Sequence, residues 1–198
     1  MSKRLKKELQ LMIDEKLGQL FFGEKKKDMR LLMLRPIDLI EFTEFAGTNA
    51  DDILTWVGKT LGRSFMEKFF YNKDWTLENI ATKKDVFLGI LESMELMGYG
   101  QLRAHFGKNK IQIGVNDPLA SQEEDNIMAK NLCLLYLGIF QGVFEILKID
   151  VDGRESECVL LGADKCTYTF DIIGEELDSS VVDPEPSEEA VSDFLSTL

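Results

Sequence analysis

The residues of this 198-residue chain that are best suited to chemistry are three cysteines, Cys133, Cys158 and Cys166. Their odd number argues against a disulfide framework. Cys158 and Cys166 each lie four residues from Gly162, so a hairpin that turns there would place them on adjacent strands, with Cβ atoms about 5 Å apart. Tetrahedral zinc with bonds of about 2.3 Å accepts two sulfur ligands in this arrangement, and Cys133 would reach the site from a preceding helix.

A fourth ligand would have to be a carboxylate or water, because the one histidine, His105, is distant in sequence. Glu155 and Glu157 are the nearby carboxylates. On a regular strand neither of them shares a face with Cys158, so the chain would need a bulge or a turn. The alternative is that the three cysteines are ordinary buried residues, which behave as small hydrophobes. The spacing alone does not decide between the two interpretations.

No Ser/His/Asp, Cys/His or nucleotide-binding arrangement is visible elsewhere in the chain. His105 alternates with the apolar residues Leu102, Ala104 and Phe106, and this pattern predicts an exposed side chain. We therefore expect a protein that is not an enzyme.

Apolar periodicity places more residues in helices than in strands, and most of the strands come as hairpins. The expected fold class is α+β, with an antiparallel sheet of about four strands covered by helices. Helices are expected at residues 4–22, 36–46, 49–70, 77–97 and 122–147, a short strand at 29–34, and hairpins at 102–115 and 153–172. The expected organisation is an N-terminal amphipathic helix in residues 1–27, a domain in 28–173 and an acidic disordered tail in 174–198.

Two of the predicted helices carry glycines four residues apart, Gly58 with Gly62 and Gly138 with Gly142. A glycine within a helix costs about 1 kcal/mol relative to alanine, so two such pairs indicate a packing demand. Tight contact between helices of one core is the favoured interpretation. A seam between two copies of the chain is the alternative.

The chain carries 23 basic and 35 acidic residues, a formal charge of -12. Nucleic-acid affinity comes largely from Lys and Arg, so a nucleic-acid partner is not expected. The most apolar segment, 132–147, is interrupted by Gln141 and Glu145, and charged residues interrupt the apolar run near the N-terminus. We accordingly expect no transmembrane segment, no secretory leader and a cytoplasmic location.

One stretch also resembles a known family. Residues 133–172 read CLLYLGIFQGVFEILKIDVDGRESECVLLGADKCTYTFDI, which is similar to the C-terminal half of the 4-vinyl reductase domain: a helix with a cysteine and spaced glycines, Glu-x2-Cys, a Gly-Asp turn and Cys-x-Phe or a near variant. Phe170 lies two residues later than in the tightest form of that ending. Small subunits of the TRAPP vesicle-tethering complexes share the fold. The resemblance implies a structural zinc ion held by Cys133, Glu155, Cys158 and Cys166.

The resemblance further implies that the domain encloses a small hydrophobic molecule. The function we expect is a homodimeric sensor or regulatory module that binds such a molecule and reports it to a protein partner. The aromatic residues that could line an apolar ligand pocket are Trp56, Phe65, Phe69, Trp75, Phe87 and Phe140. A scaffold subunit like the TRAPP small subunits is the alternative function. An accessory role in tetrapyrrole metabolism is a third, suggested only by the family's name.

Overall fold

The computed structural model describes residues 10–23, 29–67, 80–174, 177 and 181–184. Within them the chain forms four α-helices and seven strands in two antiparallel sheets, which confirms the α+β class. The helices are α1 (Pro36–Ala46), α2 (Ala50–Phe65), α3 (Ile80–Leu96) and α4 (Lys130–Leu147). The strands are β1 (Gln10–Asp14), β2 (Gln19–Gly23), β3 (Met29–Leu31), β4 (Gln101–Phe106), β5 (Lys110–Asn116), β6 (Val151–Glu157) and β7 (Cys166–Ile172).

The four-stranded sheet has the order β4-β5-β7-β6 and consists of the two predicted hairpins, with α4 between them in the chain. Alternate residues of β4, β5 and β7 are apolar and buried on one face, as the period of a strand requires. Rings of α4 pack on this face: Phe140 lies 5.4 Å from Tyr168, and Phe144 lies 5.0 Å from Phe170, between ring centroids. Helix α3 adds Phe87, which stacks on Phe144 at 4.8 Å.

Helices α2 and α4 pack against each other through the two glycine pairs. A Cβ atom built on Gly58 would lie 2.3 Å from the carbonyl oxygen of Leu135, and one built on Gly142 would lie 2.3 Å from that of Lys59. The glycines of each helix therefore allow the backbone of the other to approach. This confirms tight contact within one core. Because both glycine faces are covered inside one chain, the alternative of a seam between two copies is wrong at these residues.

The apolar composition of α4 follows from this packing. Among the described residues, one segment, Ile127–Leu147, is long and apolar enough to cross a membrane, and 61% of its most apolar window is buried inside the protein. Helix α4 has α2 on one side and the sheet on the other, so it is apolar around most of its circumference.

The amphipathic helix predicted at residues 4–22 is wrong for residues 10–23, which form β1 and β2; residues 1–9 lie outside the described residues. Asp14 Oδ1 accepts hydrogen bonds from the backbone N–H groups of Lys16 and Leu17, both at 3.0 Å, and Gly18 adopts a φ of +61°. This turn chemistry breaks the helical pattern. Ile13, which a helix would have buried, is 73% exposed.

Strand β2 also pairs with β3, so the three strands form a separate antiparallel sheet in the order β1-β2-β3. The boundary predicted between residues 27 and 28 consequently falls between two paired strands.

The acidic tail was predicted to be disordered from residue 174. Its described residues, 174, 177 and 181–184, instead dock on the domain, and the rest of the tail lies outside the described residues. Strand β4 is an edge strand, so one row of its backbone groups has no neighbouring strand to pair with. Asp183 pairs with them, because its N–H donates to the Phe106 carbonyl at 2.8 Å and its carboxylate accepts from the Phe106 N–H at 2.9 Å. Lys84 Nζ donates to the same carboxylate at 2.5 Å, and Leu177 and Val181 are buried nearby.

The prediction that the His105 side chain is exposed is wrong, because only 7% of the residue's surface is accessible. Its Nδ1 lies 3.7 Å from the Asp183 carboxylate. Burial lowers the pKa of His105, although Asp183 acts in the opposite direction. Alternation along β4 places His105 on the face that would be exposed if the sheet stood alone. In the folded chain, the segment that contains Asp183 lies against this edge of the sheet.

Replacing Asp183 tests the docked segment. We expect Asp183→Ala to lower the free energy of unfolding by about 1–3 kcal/mol, because the Phe106 N–H and the Lys84 ammonium both lose a partner in a partly buried place. Urea unfolding measures the change. Asp125→Ala, which removes an exposed carboxylate, is the matched control and should be close to neutral. Equal effects of the two substitutions would contradict the structural role of Asp183.

Candidate metal centre

A β-bulge near the end of β6 decides which glutamate faces the cysteines. Glu155 is paired with Tyr168 on β7, but Glu157 is paired with Thr167, so Ser156 is the extra residue. Glu155 therefore shares the face of Tyr168. Glu157 lies on the opposite face, where its carboxylate accepts a hydrogen bond from Thr167 Oγ1 at 2.6 Å. The bulge that the sequence required is present, and it selects Glu155.

The hydroxyl of Ser156 holds this bulge on the face away from the cysteines. Ser156 Oγ donates to the Thr167 carbonyl at 3.1 Å and lies 3.1 Å from Thr169 Oγ1. The chain then reverses through a 3₁₀ turn, Val159–Leu161, and Gly162, whose φ of +91° favours glycine. This confirms the turn predicted at Gly162, and it brings Cys158 beside the start of β7.

One ligand atom from each of Cys133, Glu155, Cys158 and Cys166 lies within 4.8 Å of all the others. The Sγ atoms of Cys133 and Cys158 are 3.8 Å apart. Tetrahedral zinc with bonds of about 2.3 Å also places its sulfurs about 3.8 Å apart. Cys133 comes from α4, Glu155 and Cys158 from β6 and the residue after it, and Cys166 from the start of β7. The four residues singled out in the sequence are thus brought together, and they could hold a metal ion.

The electrostatics of the cluster favour protonated thiols at Cys133 and Cys158 in the absence of a cation. Burial, with Cys166 and Glu155 nearby, raises the pKa of Cys158 to about 11. The pKa of Cys133 is raised well above its ordinary value, mainly by a hydrogen bond with Cys166 and secondly by burial. A divalent cation would reverse this balance, because it binds thiolates and releases their protons.

The carboxylate of Glu155 gives an independent indication that the residues fit a metal. Its Oε1 atom is buried and has no hydrogen-bond partner. A buried acceptor without a partner costs about 1–3 kcal/mol, and more when the group is charged. A cation bound by this carboxylate would offset the cost of burying it.

The residues predicted to line an apolar pocket do not form one group. Phe65, Phe87 and Phe140 are buried in the core, and Phe87 lies 6.4 Å from Phe140 between ring centroids. Trp56 is 64% exposed, so its assignment to an internal pocket is wrong: it lies on the side of α2 away from the Gly58 contact with α4. Phe69 and Trp75 lie outside the described residues.

Tyr168 was not among the predicted site residues, although it lies two residues after Cys166 and opposite Glu155, and its hydroxyl is buried without a partner. The available signal was the spacing Cys166-x-Tyr168, a near variant of the Cys-x-Phe ending. The aromatic residue of that ending was predicted to be Phe170 instead.

No family model and no curated protein matches the chain. Solved structures do. The phenol-responsive sensory domain of the transcription activator PoxR, determined with phenol, is 15% identical with a TM-score of 0.59, over 85% of this chain and 87% of that one. A trafficking protein particle complex subunit 3 from Naegleria fowleri, covalently bound to palmitic acid, is 12% identical with a TM-score of 0.50, over 72% and 93%. An H-NOX protein from S. oneidensis is 14% identical with a TM-score of 0.53, over 75% and 78%.

At these identities the likeness establishes the fold alone. The expected relation to the TRAPP-type fold is confirmed, while membership of the 4-vinyl reductase family stays a prediction. The chain has the fold that the phenol-responsive sensory domain and the trafficking complex subunit share.

Proposed function

We propose that this protein is a non-catalytic, zinc-bearing module that binds a small hydrophobic molecule and acts as a sensor or regulator. The observation that carries the proposal is the convergence of Cys133, Glu155, Cys158 and Cys166 within 4.8 Å, in a fold similar to that of a phenol-responsive sensory domain.

Zinc has a structural role in this proposal. Three thiolates and a carboxylate complete a tetrahedral shell, which leaves no open position for a water or substrate. The four ligands come from α4 and from the β6–β7 hairpin, so the metal joins the helix to the hairpin. The three cysteines are free thiols, and this state suits the reducing cytoplasm that we propose as the location.

A hydrophobic ligand is supported by the aromatic layer between α3, α4 and the sheet, together with the neighbours. The solved structures similar to this chain include one determined with phenol and one bound to palmitic acid. Phe87, Phe140 and Phe144 lie where α3 and α4 meet the sheet, and binding sites of small apolar molecules are lined predominantly by such side chains.

The proposed homodimer is supported by apolar side chains on the surface of the N-terminal part. Leu32, Met33 and Leu34 are consecutive and exposed, Phe45 on α1 is 91% exposed, and Trp56 on α2 is exposed as well. Exposed apolar groups of this extent are typical of protein interfaces. The same observation favours the second candidate function, a scaffold subunit that assembles with other proteins through its helices.

Native mass spectrometry of protein purified without added metal tests the proposal. We expect one zinc ion per chain, twice the chain mass, and an additional small organic mass that is lost on denaturation. Phenol and palmitic acid, added separately, should raise the thermal midpoint if the apolar layer binds such molecules. A dimer with zinc but without any stabilising ligand would favour the scaffold function, and a chain without metal would overturn the zinc assignment.

A further inference from the structure

Two buried polar atoms in the described part of the chain have no hydrogen-bond partner, Glu155 Oε1 and the Tyr168 hydroxyl. The carboxylate oxygen can accept a hydrogen bond, and the tyrosine hydroxyl can donate one. Buried polar groups in native proteins are nearly always paired, so two complementary exceptions near one site require an explanation.

The two residues occupy directly paired positions on neighbouring strands. Glu155 on β6 is opposite Tyr168 on β7, before the bulge, so both side chains lie on the face that carries the cysteines. Side chains at such positions have Cβ atoms about 4.5–5.5 Å apart. The tyrosine ring is held in place by Phe140, at 5.4 Å, and by Tyr136, at 6.0 Å between centroids.

The neighbouring Tyr136 hydroxyl is not available as a partner for either atom. It accepts a hydrogen bond from the Leu119 N–H at 3.0 Å and donates one to the Tyr99 carbonyl at 2.7 Å. The Tyr168 hydroxyl is therefore left without a partner, and Cys133, Cys166 and Glu155 are among its ionisable neighbours.

We propose that Tyr168 is a positioning residue of the metal centre, whose hydroxyl donates a hydrogen bond to the Glu155 carboxylate when that carboxylate binds the metal. This inference rests on the proposed zinc site. A carboxylate that binds with one oxygen leaves the other to be satisfied by a donor, and such partners orient the ligand. The donor also offsets part of the negative charge of three thiolates and a carboxylate around a divalent ion.

Tyr168→Phe tests the inference, because phenylalanine keeps the ring and removes only the hydroxyl. We expect zinc affinity, measured by competition with a chelator, to fall about 10–100-fold. The cobalt-substituted protein should show a shifted visible spectrum. The metal-free variant should be as stable as the parent or more so, since it no longer buries an unpaired hydroxyl. A purely structural role would lower the stability of the metal-free protein and leave metal affinity unchanged.

Tyr136→Phe is the matched control, because it removes a hydroxyl that bonds outside the cluster. It should lower stability without a change in zinc affinity. In the zinc-loaded parent, a slowly exchanging Tyr168 hydroxyl proton should be visible by NMR, and this measurement needs no variant. A parent that binds no zinc would overturn the proposed function. A parent that binds zinc, with equal affinity in Tyr168→Phe and no protected hydroxyl proton, would overturn only this inference.

Discussion

Glu155→Gln is expected to weaken zinc binding by at least about 100-fold, whereas Glu157→Gln should leave it unchanged. Loss of a group that only supports a ligand costs about 10–100-fold in affinity, so loss of a charged ligand should cost no less. The two residues are of the same type and two positions apart, but the bulge at Ser156 places them on opposite faces of the sheet. Isothermal titration or chelator competition with Zn²⁺ measures the difference.

The comparison of these two variants separates the metal site from a general effect of acidic residues near the cysteines. Glu157 is hydrogen-bonded to Thr167 and not to the cluster, so its replacement is a control for charge and for the strand. Equal losses in both variants would show that the bulge does not choose the ligand. If neither the parent protein nor the two variants bind zinc, the result would favour the interpretation that the three cysteines are ordinary buried residues.

The second large effect concerns the contact between α2 and α4. We expect Gly62→Ala to reduce the free energy of unfolding by about 2 kcal/mol or more, because the added Cβ would lie 2.2 Å from the carbonyl oxygen of Ile139. The neighbouring atoms are backbone, so the helices must move apart. This cost exceeds the gain of about 1 kcal/mol that alanine has over glycine in a helix.

Thermal or urea unfolding measures this effect, and a loss of 2 kcal/mol corresponds to a midpoint lower by about 4–8 °C at this chain length. Ser64→Ala is the matched control, since it introduces alanine on the exposed side of the same helix. It should be neutral or slightly stabilising. A Gly62→Ala variant as stable as the control would mean that α2 and α4 are not in close backbone contact. Because α4 also carries Cys133, we further expect this variant to bind zinc less tightly.

Much of the central domain could be predicted because its signals are local. Alternation in 102–115 predicts a hairpin, Gly162 predicts a turn, and the paired glycines predict close helix packing. Each of these signals depends on residues a few positions apart, so a single sequence contains it. The cysteine spacing likewise predicted a cluster with Glu155 or Glu157 as the fourth ligand, and the resemblance to the 4-vinyl reductase domain implied Glu155. The structure brings Glu155 and the three cysteines within 4.8 Å.

The errors of prediction have three different causes. The N-terminal helix was wrong because the turn at Asp14 and Gly18 outweighed an apolar spacing that also fits a helix. The tail was assigned to disorder from its composition, but Asp183 satisfies an edge strand 77 residues earlier in the chain. Trp56 was assigned to a pocket from its aromatic type. The type of a residue does not show which side of a helix is covered by the rest of the protein.

By itself the sequence determined the fold class, the two hairpins of the central sheet and the set of metal-ligating candidates, because these depend on residue type and short-range period. Only the tertiary structure decided between Glu155 and Glu157, covered His105 with the tail, and placed Tyr168 beside the cluster. Those outcomes depend on a single extra residue in one strand and on contacts between distant segments. The alternation of residues along one strand does not reveal a bulge, because a bulge is defined by how that strand pairs with its neighbour.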